Sequence, residues 1–132
     1  MHRIKFEDIP LQPLRISKGW AVGYNEFTEI EPYSDIKVIG LPDEDVWELF
    51  LQDLLQLKHE AYGILIDLGW TPEADPEGSY LLRVLKNEDW RNPLYEYESK
   101  NKDDIVDKIN YWLSRVTYQL DKFETTQKSQ LN

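Results

Sequence analysis

Ile64-Leu65-Ile66-Asp67-Leu68-Gly69-Trp70, then Thr71-Pro72-Glu73-Ala74-Asp75-Pro76-Glu77-Gly78, then Ser79-Tyr80-Leu81-Leu82-Arg83-Val84-Leu85-Lys86: the reading of this run decides the fold. The first segment is almost continuously apolar, the pattern of a strand in the middle of a sheet. The second is built from turn formers. The third alternates, with Tyr80, Leu82 and Val84 on one face and Leu81, Arg83 and Leu85 on the other. Together they predict an antiparallel hairpin in which Asp67–Trp70 lies beside Tyr80–Leu85.

Downstream, 87–92 turn the chain and Pro93–Ser99 reads as a third strand, with Tyr95 and Tyr97 on one face and Glu96 and Glu98 on the other. Asn101 then caps a final helix, with Asp103 and Asp104 in its first turn, where acids suit the helix dipole. Its apolar stripe is Ile105, Ile109, Trp112, Val116, Leu120 and Phe123, at helical spacing. From 124 to 132 the chain is polar, so a frayed tail is expected after a single domain spanning 1–123.

Upstream, Leu14–Lys18 and Trp20–Phe27 read as strands, with Lys18-Gly19 between them as a tight turn. Ile36–Ile39 fits a short strand or a loop. Asp43 can cap a helix, with Glu44 and Asp45 in its first turn. Val46, Phe50, Leu54 and Leu57 form a stripe widened by Trp47, Leu51 and Leu55, and Gly63 closes it. His59 falls at the end of this helix. The expected fold is α+β: a mainly antiparallel sheet with two helices packed on one face, in the order β-β-(β)-α-β-β-β-α.

Charge is distributed unevenly over this frame. Between Glu26 and Glu77 there are 14 acids against Lys37 and Lys58, a net −12 where the whole chain carries −10, so the other 80 residues sum to about +2. Such asymmetry points to a charged partner more than to a fold. With 41% hydrophobic and 13% aromatic residues the chain can build a core, and five Trp and eight Tyr can serve a core or an interface. The acidic balance argues against nucleic acid and anionic membranes as ligands, since phosphates require a basic face. The absence of cysteine excludes disulfides and thiolate metal sites. Residues 1–8 contain no apolar run and no stretch approaches the ~20 apolar residues of a membrane span, so a cytoplasmic protein is expected.

Motifs for chemistry are missing. The two histidines, His2 and His59, are not grouped with a nucleophile, and the glycines form no phosphate-cradling loop. Glu73, Asp75 and Glu77 alternate as in a calcium loop, but lack its glycine and distal Glu, so an acidic hairpin tip is the better reading. No catalysis, cofactor or metal is expected.

Gly19-Trp20-Ala21-Val22-Gly23-Tyr24-Asn25-Glu26-Phe27, Leu49–Leu55, Asp67-Leu68-Gly69-Trp70-Thr71-Pro72 with Asp75-Pro76-Glu77-Gly78, and the closing helix over Ile105–Leu113 resemble small immunity proteins of bacterial polymorphic and contact-dependent toxin systems. The resemblance implies a small acidic protein without cofactors that neutralises a cationic nuclease toxin. The partner surface is then expected at Glu26, Phe27, Glu29, Glu31, Tyr33 and Asp35, at Asp43, Glu44 and Asp45, and at Trp70, Glu73, Asp75 and Glu77. Another protein-interaction module, and a small-molecule-binding or enzymatic α+β domain, are the alternatives.

Overall fold

In the computed structural model the backbone is described for residues 2–131 and the side chains for 2–117. Seven strands and one helix are present among them: β1 (Arg3–Lys5), β2 (Trp20–Asn25), β3 (Lys37–Ile39), β4 (Leu55–His59), β5 (Ile64–Thr71), β6 (Ser79–Lys86), β7 (Tyr95–Ser99) and α1 (Lys102–Leu131). β2-β4-β5-β6-β7 form an antiparallel sheet in that order, and β1 pairs with β3 in a small parallel sheet. The protein is therefore α+β.

The hairpin forms as its sequence predicts. β5 and β6 pair through Asp67↔Arg83, Leu68↔Leu82, Gly69↔Leu81 and Trp70↔Tyr80. Ile64, Ile66, Leu68 and Trp70 of β5 and Tyr80, Leu82 and Val84 of β6 face one way and are buried. β7 adds to β6 with Tyr95 and Tyr97 half-buried and Glu96 and Glu98 exposed. Ile36–Ile39, which fitted strand or loop, contributes β3.

α1 covers the buried face through Ile105, Ile109, Leu113 and Val116, which join the core cluster. Asn101 caps it as expected, its Oδ1 accepting the Asp104 N–H at 3.0 Å. Trp112 is only half-buried, packed on Tyr95 with ring centroids 5.3 Å apart, so Leu113 takes the core position that the stripe assigned to it. The side chains of Leu120 and Phe123 lie outside the described ones, and the backbone of 124–131, where a frayed tail was expected, continues α1.

The expected first helix does not exist. Residues 43–54 run as loop and turn with one 3-10 turn at Trp47–Leu49, and Leu55–His59 is β4. Asp43 caps nothing here; Asp45 instead orders the turn just before Trp47, its Oδ1 accepting the Trp47 N–H at 3.0 Å. The physical reason lies in an apolar run that fits two periods. Val46, Phe50, Leu54 and Leu57 match a helix, yet Leu55, Leu57 and His59 also alternate with Gln56 and Lys58. The strand wins because it gains ladder partners on both sides, β2 and β5. His59 is consequently a buried strand residue, 5% exposed, edge-on to Trp20 at 5.2 Å.

The expected strand at Leu14–Lys18 is also absent, so the turn at Lys18-Gly19, which does form, leads into β2 without closing a hairpin. That segment hydrogen-bonds to α1 instead: the Arg15 N–H donates to Asn110 Oδ1 at 2.9 Å, and Ser17 Oγ lies 3.2 Å from Thr117 Oγ1.

Candidate functional site

The acidic segments that are distant in sequence meet at one end of the molecule. Their hub is a file of aromatic rings. Tyr33, 52% exposed, packs edge-on against Trp47 at 4.9 Å. Trp47 lies 5.7 Å from Trp70, and Trp70 packs on Phe50 and Tyr80, each at 5.0 Å. The file thus runs from surface to core.

Hydrogen bonds to backbone carbonyls hold the acidic segments against it. Tyr33 donates its hydroxyl to the Pro76 carbonyl at 2.6 Å, joining the segment 26–35 to the loop 72–78. The Ala74 N–H reaches the Phe50 carbonyl at 2.8 Å, and the Trp70 indole donates to the Asp75 carbonyl at 2.8 Å. Val38 N–H donates to the Glu44 carbonyl at 3.0 Å, bringing in the turn 43–45. Glu26, Glu29, Glu31, Asp35, Asp43, Glu73 and Glu77 are exposed; Glu44, Asp45 and Asp75 are half-buried.

Several of these acids also have structural work. Glu73 accepts the Gln52 N–H at 2.8 Å and Asp75 accepts the Glu77 N–H at 2.8 Å, so two of the three tip carboxylates order their own loop. Buried Lys102, at the start of α1, donates to the Glu29 carbonyl and sits 3.6 Å from a Glu31 carboxylate oxygen. Two of the aromatic anchors expected at the surface are elsewhere: Phe27 and Trp70 are 1% and 0% exposed and belong to the core. Tyr33 remains as the surface ring.

A second feature escaped the sequence reading. The face of the sheet opposite α1 carries a cleft of about 290 Å3, lined by Gln52, Asp53, Asp67, Arg83 and Trp90 over a floor at Gly69 and Leu81. Gly69 makes it possible. β5 keeps bonding beyond β4, with Leu54 N–H on the Leu68 carbonyl and Trp70 N–H on the Leu51 carbonyl. Gln52 and Asp53 are looped out between those bonds, and a Cβ at Gly69 would lie 1.8 Å from the Gln52 carbonyl oxygen. Asp67 accepts the Tyr24 hydroxyl at 3.4 Å, while Arg83 is 3.5 Å from Glu96. The available signal was Asp67 itself, the single charge within Ile64–Trp70.

Burial pushes the Asp67 carboxyl above its ordinary value. A bond from Gln56 opposes the rise, the Asp53 charge adds to it, and Tyr24 and Arg83 offset part of it. Burial, then the charges of Asp67 and Asp53, push Tyr24 up to about 12. An acid with a raised folded pKa binds its proton more tightly folded than unfolded. Its ionisation therefore destabilises the fold at pH above the raised value, and the penalty fades as pH falls to the ordinary Asp value of about 3.9. Asp67→Asn is expected to be more stable than wild type at neutral pH and to lose that advantage in acid. Urea melts across this range check it; a difference independent of pH would refute the burial account.

Among the described residues no group of three or more His, Asp or Glu is arranged to hold a metal ion, and no helix is long and apolar enough to cross a membrane. No family model matches the chain, and neither a curated protein nor a solved structure is significantly similar to it.

Proposed function

We propose that this chain is an immunity-type inhibitor, a non-catalytic protein that binds and neutralises a basic toxin domain, of nuclease chemistry, through its acidic end. One observation carries the reading: three acidic segments, around 26–35, 43–45 and 73–77, converge on a single aromatic file with Tyr33 at its exposed tip. A nuclease presents a cationic surface to phosphate, and carboxylates on a fixed scaffold imitate that ligand. Opposite charge also speeds the encounter, which suits an inhibitor that must reach its toxin before the substrate does.

The test is charge reversal at exposed acids outside the loop-ordering bonds. Glu29→Lys, Asp35→Lys, Asp43→Lys and Glu77→Lys together are expected to slow association with a basic nuclease domain by about tenfold or more at low salt and to flatten its salt dependence. Stopped-flow measurement at several ionic strengths checks it. Unchanged rates and slopes would leave the acids as a solubility device. Reversing Glu73 and Asp75 is a poorer test, since it also removes their bonds to the Gln52 and Glu77 amides.

A second reading, a small-molecule-binding domain, has the sheet-face cleft in its favour. Asp53, Asp67 and the Trp90 ring would suit a small organic cation. Calorimetry with arginine and agmatine, on wild type and Asp67→Asn, separates it from the first.

A further inference from the structure

A further concavity lies beside the acidic end and, unlike the sheet-face cleft, is lined mostly by apolar side chains. It is a groove of about 280 Å3 whose walls include Phe6, Leu11, Leu41 and Leu51, with Glu26 and Glu48 on its lining. Phe6 is 50% and Leu11 48% exposed. Large apolar side chains left open side by side mark interaction surfaces more than single scattered ones do. The groove is also held in shape by the backbone: Gln12 N–H bonds the Phe27 carbonyl at 2.8 Å and Glu29 N–H the Pro10 carbonyl at 3.0 Å. A preformed groove spends little on ordering when something enters it.

We propose that this groove holds an amphipathic basic segment of the partner, its aliphatic or aromatic side chains between Phe6, Leu11, Leu41 and Leu51 and its Lys or Arg side chains against Glu26 and Glu48. The proposal rests on the inhibitor reading and deepens it by naming what kind of chain segment the partner presents. Charge complementarity selects this occupant. A second copy of a chain carrying −10 would bring like charge to the same rim, and an anionic membrane would meet the same repulsion. The volume falls just under the ~300–1,000 Å3 of sites that enclose drug-sized ligands, which suits a few side chains inserted from a segment lying across the groove.

The experiment is an amide NMR titration with three synthetic twelve-residue peptides. One carries Leu and Phe among Lys; the second keeps the Lys and replaces Leu and Phe with Ser; the third keeps Leu and Phe and replaces Lys with Glu. The first is expected to shift resonances of Leu11, Thr28, Leu41 and Leu51 and to bind at least about tenfold more tightly than the second, a difference of about 1.4 kcal/mol. The third is expected not to bind. Phe6→Ser with Leu11→Ser should abolish the preference for the first peptide over the second. Glu26→Gln with Glu48→Gln, which leaves the walls intact, should weaken the first peptide and keep the fold.

Equal binding of the first two peptides, shifts centred away from the groove, or indifference to both double variants would overturn the groove while leaving the acidic-end reading standing. Conversely, occupation of the groove as described, with the fourfold charge reversal failing to slow association with a nuclease domain, would overturn the inhibitor reading alone.

Discussion

Trp70→Ala is expected to cost about 3–5 kcal/mol, enough to consume much of the stability of a domain this size. The indole is fully buried and packs on Trp47, Phe50 and Tyr80. Its removal leaves a cavity that the strand cannot close, because pairing with Tyr80 of β6 on one side and the bond of its own N–H to the Leu51 carbonyl on the other pin the backbone. It also strands the Asp75 carbonyl that the indole N–H satisfies. Trp70→Phe keeps most of the ring volume and loses the bond, so it should fall well short of that cost. Chemical denaturation of both variants checks the pair. A loss below about 1 kcal/mol for the alanine variant would mean that the ring file is not a core element.

Gly69→Ala is expected to be nearly as damaging, about 3 kcal/mol or more, though it adds one methyl group. The new Cβ would overlap the Gln52 carbonyl oxygen, which is backbone and cannot swing aside. Overpacking a core typically costs about 1–3 kcal/mol where side chains can adjust, and here relief requires breaking the bonds of Leu54 or Trp70 to the opposing chain. The excursion at Gln52 and Asp53 would move with them, so the sheet-face cleft should lose its shape. Denaturation gives the first effect, and amide shifts at Asp53, Asp67 and Trp90 give the second. Unchanged stability would show that the two chains are not so closely apposed.

The contrast between these two neighbours explains what could be read without coordinates. The β5–β6 hairpin was legible because a continuous apolar run and a period-two run flank a turn whose chemistry is local. The stripe of α1 was legible at period 3.6, although Trp112 stood in for a position that Leu113 occupies. β4 was not legible, because Leu55 and Leu57 satisfy both periods and only pairing with β2 and β5 decides. Of the candidate site, the concentration of acids was visible as a count. The bonds that gather them were not, since the Tyr33 contact with Pro76 depends on a loop closing over many residues. Phe27 and Trp70 were misplaced because an aromatic ring beside acids looks the same in sequence whether it faces out or in. Gln52, Asp53 and Trp90 entered the cleft from loops, where no periodicity exists to read.

The order of the strands also bears on how the acidic end is assembled and how it opens. β4 to β7 are consecutive neighbours joined by short connections, so their contacts close small loops and form early. β2 must skip past β3 to reach β4, and β1 and β3 meet from distant parts of the chain, so the 20–45 region is expected to form later and to exchange its amides sooner. The acids at 73–77 belong to the early meander and those at 26–45 to the late layer, so the surface they share straddles a seam between them. A ligand gripping both sides would act as a clamp. Its binding energy would suppress opening of the outer layer first, and backbone amide exchange with deuterium should slow between 26 and 45 well before it changes in β5 and β6.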